Sequence, residues 1–153
     1  MFAAAKPVQQ VAALPFVVID DQVELLLITS RRRKRWVVPK GWPGRDGSLA
    51  EAAAREAAEE AGVIGPVRPD PLGDYSYDKQ MSTGYEVRSH VFVYPLLVVE
   101  HRIDWPERGA RTLRWSRPAE AADLVDDRQL GDLITGIAAD AGATLRDFTR
   151  TAA

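Results

Sequence analysis

Three features of this chain predict a mixed α/β fold, a mixed sheet with helices packed against it. Apolar, β-branched runs stand both before and after a central helix. That helix carries its own start and stop residues. Two further helical stretches follow the last strand signal.

The elements can be justified in order. Val11–Ile19 and Val23–Ile28 read as strands, and the polar break Asp20-Asp21 makes them a hairpin. Pro15 places an edge or a bulge in the first of them, because proline cannot donate to a ladder. Arg31-Arg32-Arg33-Lys34-Arg35 is a basic loop, and Trp36-Val37-Val38 a short buried strand. Residues 39–47 hold Pro39, Gly41, Pro43, Gly44 and Gly47 and read as a loop. Ser48 is then a good N-cap, and Glu51 three residues on makes a capping box. Alanine fills much of 49–61, giving a slim helix of high propensity, and Gly62 is its natural stop. Residues 65–73, rich in proline and glycine, form a connector. Tyr75, Tyr77 and Tyr85 flank a polar loop (74–86) that suits either packing within itself or a lid that stacks a base. Val87–Val99 is a long strand containing His90 and Pro95, and Thr112–Trp115 a short one. Arg117-Pro118 opens a helical stretch, Asp127–Ala141 is the last helix, and 142–153 is a tail. The expectation is one domain over 1–153 with its core at 10–141.

Composition narrows the function. With 153 residues, 46% apolar and 27% charged, the chain has the balance of a globular protein. Its 20 Lys+Arg against 22 Asp+Glu leave a formal charge of −2, so no global field draws nucleic acid, and no stable nucleic-acid partner is expected. An anionic ligand must be held by a local cluster. The absence of cysteine removes disulfides and thiol nucleophiles, and with only His90 and His101 a zinc site is not expected. No apolar run approaches the length of a membrane span. The N-terminal segment was weighed as a signal peptide, but Gln9 and Gln10 interrupt it and Val11–Ile19 reads better as a strand. A cytoplasmic location is the expectation.

The chemistry concentrates at 55–63. A helix turns about 100° per residue, so Glu59 lies about 60° to one side of Glu56 and Glu60 about 40° to the other. Three carboxylates on one face repel unless a cation sits among them, and a hard divalent ion is the natural candidate. Arg55 can pair with Glu59 at i,i+4. On spacing alone the stretch also fits a solvated helix face. The adjacent acids and the preceding glycine-rich loop, where backbone can approach a ligand closely, favour a site.

At these residues the chain resembles the Nudix hydrolases, whose pattern is G-x5-E-x7-R-E-U-x-E-E-x-G-U with U apolar. Gly41 starts it and Arg55-Glu56-Ala57-Ala58-Glu59-Glu60-Ala61-Gly62-Val63 completes it without a gap. Residue 47 departs, being Gly where the pattern has Glu, and Ala57 is smaller than usual. The resemblance implies an α/β/α sandwich with a mixed curved sheet. It implies Mg2+, with Mn2+ as a substitute, held by Glu56, Glu60 and the Gly41 carbonyl. Glu59 would bind metal or act as general base, and Arg55 would orient the glutamates.

Shorter matches resemble the branch that cleaves diphosphoinositol and diadenosine polyphosphates: Leu26–Arg31, Arg35–Pro39, Val87–His90, Asp104-Trp105 with Glu107, and Arg111 ahead of Trp115. They imply a polyphosphorylated small-molecule substrate, with Ser30, Arg31, Lys40, Arg88 and Arg111 against its phosphates. The basic loop 31–35, otherwise a solvated run, would sit at the rim. The alternatives are another nucleoside diphosphate derivative (ADP-ribose, a nucleoside triphosphate or an RNA 5′ end) and a sensing domain that does not cleave. Many relatives form homodimers, which extends that expectation to this chain.

Overall fold

The computed structural model describes residues 6–45 and 47–152. The first five residues of the N-terminal segment, Asp46 of the glycine-rich loop and the final Ala153 lie outside the described residues. The elements run β1 (Val8–Ile19), β2 (Gln22–Thr29), β3 (Trp36–Val37), β4 (Lys40–Gly41), α1 (Leu49–Ala61), β5 (Val63–Ile64), β6 (Gly73–Gln80), β7 (Glu86–Leu97), β8 (Glu100–His101), β9 (Leu113–Ser116), α2 (Pro118–Leu124), α3 (Arg128–Ala139) and α4 (Ala143–Ala152).

The main sheet has the order β3-β2-β1-β7-β6, with β4 added to β1 and β9 to β2. β1 and β7 are parallel and the other pairs antiparallel, which makes the sheet mixed. β5 and β8 form a separate two-stranded ladder. The turn between β1 and β2 has Asp20 and Asp21 at φ 50° and 65°, a left-handed pair that aspartate tolerates and a two-residue hairpin requires.

Side chains alternate across the sheet because a strand has a period of two. Ala12, Leu14 and Phe16 of β1, with Leu25 and Leu27 of β2, pack against Leu130 and Ile134 of α3 and Leu145 and Phe148 of α4. Val11 and Ala13, with Leu26 and Ile28, face the alanines of α1. Helices thus cover both faces, an α/β/α sandwich.

Four local expectations are corrected. β1 is central, so Pro15 marks no edge. It sits between Ala12, paired with β4, and Phe16, paired with β2. Ala13 donates to the Pro39 carbonyl on that side, and the two-residue period turns Pro15 the same way, into the gap where the partner changes. Residues 40–41 leave the expected loop to pair with Val11 and Ala12. Residues 73–80 of the expected 74–86 lid are strand, paired with β7 from Gly73↔Val93 to Gln80↔Glu86, and Tyr75 is buried at 1% exposure.

The expected tail is a helix. Ala141 and Gly142 turn at φ 55° and 75°, which ends α3 before α4 begins. Leu145 and Phe148 then share one face at i,i+3, and Phe148 meets Phe16 with ring centroids 6.1 Å apart. Leu145 is fully buried. Leu145→Ala should cost about 3 kcal/mol of stability, read by urea unfolding. A loss near zero would show that α4 does not belong to the core.

Candidate active site

Helix α1 builds the site from its alanines. Ser48 Oγ accepts from the Glu51 amide at 3.1 Å, starting the helix, and Gly62 at φ 71° ends it. Ala50, Ala53, Ala57 and Ala61 follow one another at helical spacing and are buried against β1 and β7. Glu56 and Glu60 each precede a member of that stripe, which puts their carboxylates at its rim. Glu60 is therefore 4% exposed, Glu56 is half-buried, and Glu59 on the outer side is exposed. The three acids do not share one environment, although their spacing puts them on one face.

Gly41 lies directly beneath the Glu56 carboxyl, and a Cβ at 41 would fall inside that group. The far end of α1 is closed by the segment after β8. Trp105 covers Gly62, where a Cβ would strike the indole, and the Glu107 amide donates to the Glu59 carbonyl at 3.1 Å.

Burial sets the electrostatics. It pushes the Glu60 carboxyl up to about 8, against the opposing Arg111 charge. A hydrogen bond to Glu56 and the charges of Glu56 and Glu107 raise it further. Glu56 is also raised, chiefly by burial. Arg111 Nη2 stands 3.3 Å from Glu60 Oε1 and 3.1 Å from Glu107 Oε1. The Lys40 ammonium is desolvated and lowered, while Asp127 and Glu60 counter that shift. It lies 5.1 Å from the Tyr77 ring centre. Asp127 is raised by burial, and Lys40 opposes.

Beside this cluster opens a cavity of about 460 Å³ between the basic loop and the β6–β7 hairpin. Its walls include Ser30, Arg31, Arg33, Tyr77, Met81 and Asp127. Neither glutamate lines it; the residues nearest both are Thr29, whose carbonyl accepts from Arg111 and which precedes Ser30 of the wall, and Lys40, over the Tyr77 ring of the wall.

The structure thus brings Glu56, Glu60, Gly41, Lys40 and Arg111 together, with Ser30 and Arg31 on the cavity wall. Ser30 Oγ accepts from the Arg35 amide at 3.0 Å, and Arg31 Nε is 3.9 Å from Glu107. Arg88 is not gathered in: it pairs with Asp78 at 3.2 Å across β6 and β7 and does not line the cavity. Among the described residues no ion pair joins Arg55 to Glu59. The Arg55 guanidinium extends instead toward Gly44, where a Cβ would stand 3.1 Å from Nη2. Trp42 is exposed, with the Lys79 ammonium 5.9 Å from its ring centre. His90 is held by Gln9 and Asp74 at 3.0 and 2.8 Å.

Sequence reasoning missed Glu107 and Asp127 as members of the site. Glu107 had a signal, its place in the Asp104-Trp105 match to the family branch. Asp127 had none beyond its place before a helix.

The donor set suits a hard divalent cation. Among the described residues no three acidic or histidine side chains converge as a ready cage. A buried and a half-buried carboxyl stand one turn apart, and the Glu56 carboxyl sits on the Gly41 backbone. Mg2+ commonly takes one or two carboxylates and completes its shell with water and substrate phosphate.

Two outcomes follow. A carboxyl held at about 8 binds its proton more tightly folded than unfolded. Its contribution to stability is complete below about pH 4.5, declines as pH rises, and is gone above about 8. Urea unfolding in a chelator should show that decline, and Glu60→Gln should flatten it. An equal slope in the variant would place the proton elsewhere. Gly41→Ala should weaken Mn2+ binding roughly tenfold by calorimetry, because the Glu56 carboxyl must move. Unchanged affinity would separate Gly41 from the metal.

The chain is 39% identical over 110 residues to Nudix hydrolase 18, mitochondrial, of Arabidopsis thaliana, covering 71% of this chain and 60% of the relative. It is 32% identical over 109 residues to diphosphoinositol polyphosphate phosphohydrolase 3-beta of Bos taurus, covering 69% and 61%. The chain therefore spans about three-fifths of the length of these relatives. The crystal structure of C. elegans Ap4A hydrolase shares the fold, with a TM-score of 0.63 at 17% identity over 88% of this chain and 98% of that one. The family model of the NUDIX domain matches residues 8–134, and the chain belongs to the Nudix family.

Proposed function

We propose that this protein hydrolyses a pyrophosphate bond in a polyphosphorylated small molecule of the diphosphoinositol polyphosphate or diadenosine polyphosphate class, with Mg2+ and with Mn2+ as a substitute. The observation that carries the reading is the Glu56–Glu60 pair one turn apart on α1, Glu60 buried and Glu56 half-buried, beside Arg111. Bound there, a divalent cation would neutralise phosphate oxygens and acidify a water.

The chain's own groups supply the rest. Glu56 and Glu60, with the Gly41 carbonyl, would hold the cation. Glu59, exposed one turn from Glu56, accepts the proton of the attacking water or adds a ligand. Arg55 orients this end of the helix. Arg111, Lys40, Arg31 and Ser30 receive the phosphates along the path from the carboxylates into the cavity, and guanidinium groups suit phosphate by bidentate contact.

A second reading, a nucleoside diphosphate derivative such as ADP-ribose, is favoured by the cavity wall. Arg35 is spent on Asp126 at 2.9 Å, and Val37, Tyr77 and Met81 give the wall an apolar side. That wall suits an uncharged ring better than a fully phosphorylated one.

The test is a panel of inositol pyrophosphates, dinucleoside polyphosphates and ADP-ribose assayed with Mg2+. Products are identified by mass spectrometry after reaction in 18O water. Turnover should occur on at least one and fall by roughly 10³-fold or more in Glu60→Gln. Full activity in that variant, or no cleavage of any pyrophosphate, would overturn the assignment.

A further inference from the structure

Arg111 is the one arginine of this molecule that touches the buried carboxylates, among the described residues, and its geometry is unusually constrained. Its side chain is 12% exposed, against 5% for Glu60 and 23% for Glu107. All three guanidinium nitrogens face protein oxygens. Nε donates to Glu107 Oε1 at 3.1 Å, Nη1 donates to the Thr29 carbonyl at 3.1 Å, and Nη2 lies between Glu107 and Glu60. Of the two carboxylates, Glu107 takes the double contact, from Nε and Nη2 onto one oxygen. Glu60 takes a single, longer one.

Glu107 is itself fixed. Its amide donates to the Glu59 carbonyl, its carbonyl accepts from the Ala110 amide, and Trp105 two residues earlier lies on Gly62. The clamp is therefore anchored to the end of α1 that carries Glu59 and Glu60.

We propose that Glu107 is a positioning residue: it holds Arg111 beside Glu60 and aims its guanidinium at the substrate phosphate. With a divalent cation held by Glu60, the single Nη2 contact to Glu60 would be dispensable. The double contact to Glu107 keeps the guanidinium in place for an anion. A flexible arginine would lose side-chain entropy at that step, and this one has already lost it. The inference rests on Arg111 as a phosphate contact, as proposed above.

The test uses the full chain, with methylenediphosphonate in the presence of Mn2+ as the binding probe and calorimetry as the readout. Glu107→Gln should weaken diphosphonate binding roughly tenfold and leave Mn2+ affinity unchanged. Arg111→Gln should show the same loss, and the double variant no further loss, because the two residues act as a unit. Glu107→Asp, which draws the oxygens back by one methylene, should repeat this split should Glu107→Gln fail to fold. In Arg111→Gly, added guanidinium should restore diphosphonate binding only while Glu107 is present. Weakened Mn2+ binding in the Glu107 variants would make Glu107 a metal ligand and overturn the proposal. So would losses that multiply, or rescue that ignores residue 107. If the wild-type chain binds the diphosphonate yet cleaves no pyrophosphate, the catalytic reading fails, while the clamp is still decided by these binding measurements.

Discussion

The structure depends on the burial of two carboxyl groups side by side at the edge of a helix. Taking charge out of water is costly unless it is paired or neutralised. Glu60 has Arg111 as a close cation, and Glu107 competes for it. Burial, helped by the charges of Glu56 and Glu107, outweighs Arg111 and pushes the Glu60 carboxyl up to about 8. The alanine stripe creates this situation. A helix with larger side chains at 53, 57 and 61 would stand farther from β1, and its glutamates would reach bulk water.

Two glycines make the arrangement fit from opposite ends. Gly41 lets the Glu56 carboxyl settle onto the backbone of β4, and β4 exists because Lys40 and Gly41 pair with β1. Gly62 does more than end α1 in a left-handed turn. It leaves the space that Trp105 fills, and its carbonyl accepts from the Arg102 amide. The segment carrying Glu107 is thereby docked on the last turn of the helix. A residue that reads as a helix stop is also the seat of a loop that reaches into the site.

Sequence and structure agree where the signal is local. The hairpin at Asp20-Asp21, the cap at Ser48, the stop at Gly62 and the register from Gly41 to Glu60 each follow from neighbouring residues. Where a partner distant in sequence decides, the chain is silent. Lys40 and Gly41 look like loop until β1 offers a ladder, and residues 73–80 look like a polar loop until β7 pairs with them along the whole strand. Residues 142–153 read as a tail because Leu145 and Phe148 are only two apolar positions, and their value lies in reaching Phe16. The helical wheel places Glu56, Glu59 and Glu60 on one face but does not say how deeply the sheet buries each. That depth separates a raised Glu60 from an exposed Glu59.

The basic loop shows the same distinction for charge. Counted along the chain, Arg31 to Arg35 are five adjacent cations, which favours a highly phosphorylated ligand. In space, Arg35 is paired with Asp126, Arg33 donates to Gln80, and Arg31 lies toward Glu107. Exposed pairs of this kind are weak, worth about 1 kcal/mol or less. An incoming phosphate can therefore compete for these arginines, but each must first leave a partner. Arg111 differs, because its double contact to Glu107 and its bond to the Thr29 carbonyl are more buried and need not break for an anion to approach. Affinity near the carboxylates is built in, whereas affinity along the rim must be won from existing pairs. The number of phosphates a ligand carries should consequently matter less than having one phosphate at Arg111, next to the glutamates.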